Sequence, residues 1–537
     1  MLSAVLLSPN ADAQSIRTHD DLVEFFFDWR AFHAPPNTNG VPDYSPEAMH
    51  RRHAELARWQ ERLAAADTSG WTIAEQIDWY IVRAEMNGLD FAHRVKKPWS
   101  RDPAFWVWFY PNPTDVPERE GPQIWGAVEL PDYGEPLTSD DAEEIARRLR
   151  RMPAVYEHAR TVLTGNARDL WVTGVRSIQA QSEALDIFAR RMESDFPDLS
   201  AAAREARTAS DGLASWLAER SDEKTGTSGV GKDNYSWNLR HVHLLPYDWE
   251  DEVLLMQREL NRSHASLRLE EHRNRDLPGH AQIQTPDEYD RRLNEAVDEY
   301  MAFLEEEAIL PIREYMDQAL RERIGSFSPV EEGELRGFFS EITYRDPIVM
   351  RTHHYHWFDL ARMRDEPHES PIRATPLLYN MFDGRAEGMA TGMEEMMMHA
   401  GLLDEKPRAR ELIWVLLAQR AARGLGGLYQ HGLEMSFDEA TQYASKWTPW
   451  GLLPADGATI QWEEQFYLRQ PAYGTSYVIG KLEIERLIAE YARQREGSFD
   501  LGAFMDAFNA SGVIPVSLIH WEMTGDKSVL LDALGEE

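Results

Sequence analysis

Residues 351–363 read RTHHYHWFDLARM and residues 385–400 read RAEGMATGMEEMMMHA. The second run settles how this part of the chain is built. Glu387 and Glu394 lie seven residues apart, two helical turns, so on a helix they share a face; Glu395 and His399, four apart, also meet. The first run crowds His353, His354 and His356 beside Trp357 and Asp359. Imidazoles and carboxylates brought together suit either a divalent metal or proton transfer near neutral pH.

Outward from this stretch the same period persists. DLVEFFFDWRAF (21–32) and PEAMHRRHAELARWQERLAAA (46–66) carry apolar residues three and four apart, with Ser45-Pro46-Glu47 as a helix start and Thr68-Ser69-Gly70 as a stop. Residues 139–220 read as two or three amphipathic helices, 247–272 as a long charged helix and 285–324 as another. Residues 327–349, with GFFSEITY and PIVM, are the best strand candidates. KKPWSRDPAFWVWFYPNPTDVPEREGP (96–122) has too many prolines for a regular helix, and its aromatic residues cap a core or wall a pocket. With no repeat and no linker, residues 15–537 are expected to form a single mainly α-helical domain with a minor β element around 327–349.

Composition narrows the function classes. The 537 residues carry 91 acidic against 56 basic side chains, a net charge of -35. That balance argues against binding nucleic acid or an anionic membrane through bulk charge. No cysteine is present, which removes disulfides, thiolate ligands and a cysteine nucleophile. SAVLLSPNADAQ (3–14) resembles the end of an export signal, with Ala11-Asp12-Ala13 as a small-x-small cleavage site, so a periplasmic or exported protein is expected, with a cytoplasmic one the alternative. No apolar run reaches the roughly 18 residues that membrane insertion needs. A homodimer is compatible with the sequence.

Several further motifs occur in one order: RAEGMATGMEE with Glu387, Gly388 and Glu394; RAARGLGGLYQHGLEMSFDEA with Arg420, Arg423 and His431; FYLRQPAYGTSYVIGKL with Tyr467, Pro471, Ser476, Tyr477 and Gly480; and FMDAFNASGVIP with Phe504, Asp506, Gly512 and Pro515. In these the chain resembles the bacterial domain-of-unknown-function family numbered 885, and the resemblance implies a helical, zincin-like metallopeptidase scaffold. The family pattern begins with HExxPGH. Counted back from Glu387, that element falls on 353–359. The resemblance then implies His353, Asp359 and Glu387 as metal ligands, with zinc the first expectation and Asp359 in place of the second histidine. His354 stands where the family has its catalytic glutamate. Gly427, Phe466 and Met505 replace further polar residues of the pattern. Scaffold positions survive while catalytic ones change together, which suggests a rebuilt pocket.

The expected catalytic residues are His353, His354, His356, Glu387, Tyr477 and His431. The expected substrate contacts are Trp357, Arg420, Arg423, Trp447 and Trp450. Each also has a plain structural reading, as a core aromatic, a hydrogen-bonded histidine or an arginine paired with a helix carboxylate. The 18 tryptophans and the histidine cluster favour an enzyme acting on a small, aromatic organic molecule by lyase-type acid–base chemistry. The alternatives are a metal-dependent peptide or amide hydrolase and a non-catalytic binding protein.

Overall fold

Helix starts in this chain are fixed by capping chemistry. Thr18, Thr72, Thr138, Asp248 and Ser436 each accept a hydrogen bond from the third helical N–H and receive an acidic side chain on their own N–H. Ser45 caps the Pro46–Ala64 helix with Pro46 in its first turn. The computed structural model describes residues 15–536 apart from 118, 120 and 332; the signal-like segment 1–14 lies outside the described residues. What it shows is a large helical domain with two two-residue strand pairs: antiparallel Asn37–Thr38 with Val41–Pro42, and parallel Phe109–Tyr110 with Val128–Glu129. Among the described residues no helix is long and apolar enough to cross a membrane.

Among the described residues of 327–349 the expected β element is absent. Phe338–Arg345 and Pro347–His353 are helices instead. Phe338, Glu341 and Ile342 are buried at helical spacing, and Asp346 caps the second helix through the Ile348 N–H at 3.2 Å, with Pro347 in its first turn. Capping and burial outweigh the strand preference of β-branched and aromatic residues. The helix expected over 285–324 is two, Pro286–Glu306 and Glu314–Arg321, separated by Ala308 in a left-handed conformation and by Pro311.

The apolar interior falls into two large clusters. One is built from the N-terminal helices and most of the chain after residue 235; the other lies within residues 44–217 and takes in Trp99, Phe105, Trp106, Trp108 and Phe109. Arg469 Nε to Asp102 Oδ2 at 2.6 Å and Gln465 Nε2 to Ser177 Oγ at 2.7 Å tie the two halves together.

The Asp383–Ala400 helix (the glutamate helix) and the Tyr473–Gln494 helix (the tyrosine helix) meet backbone to backbone. A Cβ on Gly388 would lie 2.5 Å from the Gly480 carbonyl carbon, and one on Gly480 would collide with the Gly384 carbonyl oxygen. Only glycine permits so close a crossing. It sets Glu387 against the first turns of the tyrosine helix.

Candidate functional site

The Pro347–His353 helix ends at His354, and Tyr355–Asp365 begins a new one. This break turns both His353 and His356 inward, with ring centroids 5.1 Å apart and planes at 86°. Glu387 comes from the first turns of the glutamate helix. One nitrogen of each histidine and one oxygen of Glu387 all lie within 4.8 Å of one another, and all three residues are buried. Two imidazoles and a carboxylate form a donor set that Zn²⁺ sites use.

Tyr473 and Tyr477, one turn apart, point at the same carboxylate. Tyr473 OH donates to Glu387 Oε1 at 2.7 Å and Tyr477 OH at 3.2 Å. Glu387 Oε2 is buried with no hydrogen-bond partner among the described residues. A buried carboxylate oxygen left bare is costly unless a cation or a proton donor meets it.

Charge around the cluster is held by arginines from the Pro407–His431 helix. Arg420 grips Glu394 with both nitrogens, at 2.6 and 2.7 Å. Arg423 pairs with Glu463 and lies 4.4 Å from the Tyr477 ring centroid. His353 Nδ1 is 3.1 Å from Glu394 Oε1 and 3.1 Å from Arg420 Nη2. With the proton on Nδ1 the ring donates to Glu394 and leaves Nε2 as a ligand; with the proton on Nε2 it accepts from Arg420. Burial, then the Arg420 charge, holds His353 well below the usual histidine range, so it is a neutral imidazole. Burial pushes the Tyr477 phenol well up, and the Glu387 charge adds to this, so the phenol keeps its proton.

Sequence-based expectations meet this geometry unevenly. His353, His356, Glu387 and Tyr477 come together, with Arg420 and Arg423 behind them. Asp359 does not join them: it is 1% exposed and its carboxylate is taken by Arg385 at 2.8 and 3.0 Å and by Arg362. His356 occupies the place expected of Asp359, because the break at His354 changes which face each residue presents. His354 is kept neutral, first by burial and then by Arg351, and its Nδ1 has no hydrogen-bond partner among the described residues; it is not one of the three converging donors.

His431 ends the arginine-bearing helix two turns beyond Arg423. Its Nε2 meets the Tyr467 carbonyl at 2.9 Å, and burial brings it to about 4. Trp357 stacks on Arg323 at 3.8 Å. Trp447 and Trp450 are partly exposed over the Trp249–Arg273 helix, beside His264 and Glu271 respectively, so they pack at a surface. The Arg420 and Arg423 guanidiniums are likewise engaged by glutamates.

Two residues went unnoticed in the sequence. Tyr473 sits four before Tyr477, and that spacing alone places both phenols on one face. Asp115, in the proline-rich segment, brings Oδ2 to 3.7 Å from His356 Nε2; nothing in the sequence pairs it with a residue 241 positions away.

Comparisons with known proteins agree with this architecture. Among curated proteins no match is found. Of solved structures, one described as "a putative lipoprotein of unknown function from Shewanella oneidensis" superposes with a TM-score of 0.67 at 15% identity, over 94% of this chain and 99% of that one. A second, "the putative lipoprotein from Colwellia psychrerythraea", gives 0.62 at 13% identity, over 94% and 98%. At such identity these likenesses show the fold. The family model described as "Bacterial protein of unknown function (DUF885)" matches residues 31–352 and 353–523, nearly the whole chain, and the chain belongs to that family.

Proposed function

We propose that the chain is a metal-dependent hydrolase of small amide or peptide substrates, with the ion held by His353, His356 and Glu387. One observation carries this reading: three buried donors within 4.8 Å of one another, one of them a carboxylate with an oxygen that has no partner among the described residues. A divalent ion there would supply Lewis acidity and lower the pKa of a bound water. The Glu394–His353 contact orients that imidazole as a ligand. Tyr473 fixes Glu387, and the Tyr477 hydroxyl, held to the same oxygen by the longer contact, is the donor that can turn to a developing oxyanion. Asp115, more than a third exposed, stands on the solvent side of His356, where a carboxylate can pass protons to water.

The test is metal analysis of the purified chain followed by zinc titration. One tightly held equivalent is expected, lost in His353→Ala and in Glu387→Gln, with amide hydrolysis that chelator removes and zinc restores. Failure to hold an equivalent, with activity indifferent to chelator, would discard this reading.

A second reading rests on the two phenols converging on Glu387 Oε1. There the bare Oε2 acts as a base and a phenol as an acid, in metal-free lyase chemistry on an aromatic molecule. Chelator-insensitive elimination activity, lost in Tyr477→Phe, is its signature. We also propose that the protein is exported, on the small-x-small site at residues 11–13 and the lipoprotein descriptions of the two structural relatives. Fractionation that leaves the chain wholly in the cytoplasm would contradict this.

A further inference from the structure

A cavity of about 420 Å³ opens elsewhere in the fold, and none of its lining residues belongs to the His353–His356–Glu387 cluster. It lies between the His19–His33, Pro46–Ala64 and Ile73–Phe91 helices, the aromatic segment 98–129 and the turn at 378–380. Its walls are flat and aromatic. Tyr44 and Trp99 stack at 6.0 Å, Phe105 stands edge-on to Tyr44, and Trp125, 47% exposed, borders the opening.

Against these walls stand polar atoms with nothing to bond. Gln123 Oε1 and Asn380 Nδ2 are buried without a partner among the described residues. Tyr379 and Asn380, in succession, hold φ of 63° and 56°, the left-handed region that side chains other than glycine rarely adopt. Strain of this kind persists where the surrounding structure enforces it, and it concentrates at ligand sites. The adjoining recess shares Lys96, Tyr379 and Asn380, and ends at Gln470, whose two amide atoms are also unpartnered.

The charges are unequal in availability. Arg119 is committed to Glu129. Arg52 donates to the carbonyls of Phe32, His33 and Ala34 at 2.7 to 2.9 Å. Burial holds His33 and His93 at about 3, so both are neutral. Lys96 is the cation left over: among the described residues its ammonium makes no hydrogen bond or ion pair. Burial, with the Arg469 charge, brings it down to about 8, so at pH 7 it is still mostly protonated. A half-buried ammonium beside unpartnered amides and aromatic walls is the composition of a small-molecule site.

We propose that this cavity binds a planar aromatic carboxylate, with its ring against Trp99 and Trp125 and its carboxylate on Lys96 and the Asn380 amide. The site is independent of the chemistry proposed at Glu387. A neutral aromatic ligand would leave Lys96 unpaired, and an aliphatic carboxylate would leave the aromatic walls uncovered.

Isothermal titration of the full chain with 2-naphthoate, and with 2-naphthalenemethanol as its uncharged counterpart, tests this. At pH 7 the expected result is one saturable site that takes the carboxylate at least about tenfold more tightly than the alcohol, as one charge-assisted contact provides. Lys96→Met should bring naphthoate down to the alcohol's level, and Lys96→Arg should restore the preference. Equal affinity for the two probes, no saturable binding of either, or an unchanged preference in Lys96→Met overturns the assignment. Should Lys96→Met fail to fold, the unsubstituted protein still decides. Naphthoate binding must weaken between pH 7 and pH 9.5 as Lys96 loses its proton, and a flat profile rules the proposal out.

Discussion

Tyr473 OH lies 2.7 Å from Glu387 Oε1 while the other oxygen of that carboxylate meets nothing among the described residues. One side of Glu387 is fastened and the other is bare, in a carboxylate that lies beside the two histidines. Glu387→Gln keeps the shape and an acceptor but loses the charge. It should abolish turnover and the bound metal equivalent while moving the thermal midpoint by only a few degrees. Retained activity in a folded Glu387→Gln protein would place the chemistry elsewhere.

Asp359 makes the contrasting case. Its pair with Arg385 is fully buried, and removing one member of such a pair costs about 3–5 kcal/mol, because the other charge is left stranded. Asp359→Ala should therefore lower the urea midpoint sharply and leave the metal stoichiometry of the folded fraction unchanged. Loss of metal without loss of stability would restore Asp359 as a ligand.

The glycine crossing sets a third expectation. Gly388→Ala forces a methyl group to within 2.5 Å of Gly480, and overpacking of this sort costs about 1–3 kcal/mol. The two helices must separate, which draws Glu387 away from Tyr473 and Tyr477, so activity should fall further than stability. A variant as stable and as active as the parent would mean the crossing tolerates a side chain.

Acid sensitivity follows from histidines outside the site. Burial holds His243 at about 3 and His431 at about 4, below the usual value near 6.5. The native state thus binds fewer protons than the unfolded chain. The stability these two contribute is fully present above about pH 6.5 and is lost as pH falls toward their folded values. Each should cost about 1 kcal/mol over the first pH unit below 6.5. Relief of repulsion in a chain of net charge -35 works the other way. The comparison that separates the two is urea unfolding from pH 7 to 5 with and without His243→Gln, which should flatten the decline. Parallel curves would show that His243 is not held neutral.

Much of the helical architecture and the family could be read from the chain, because a 3.6-residue apolar period and ordered short motifs are local signals. What escaped depends on tertiary choices. GFFSEITY carries strand-favouring residues, yet Phe338 and Ile342 also fit a buried helical face, and Asp346-Pro347 starts another helix directly after it. Counting back from Glu387 along the family pattern puts the second ligand at Asp359. The break at His354 substitutes His356, and a single residue's conformation is not visible in spacing. Asp115 reaches His356 from the far side of the sequence, and the pocket around Lys96 is assembled from segments far apart in the chain.

Asp115 has one more consequence. His353, Glu387 and the two tyrosines all sit on helices, whereas Asp115 rides on a stretch of chain with no helix or strand of its own. A shift of Asp115 relative to His356 would therefore break no turn of the helices that carry the cluster. Loop rearrangements of this kind run on the order of microseconds to milliseconds and often set how fast an enzyme cycles. On the hydrolase reading proposed above, substitutions in residues 111–117 would change the pace of turnover and leave the chemistry of the buried groups as it is.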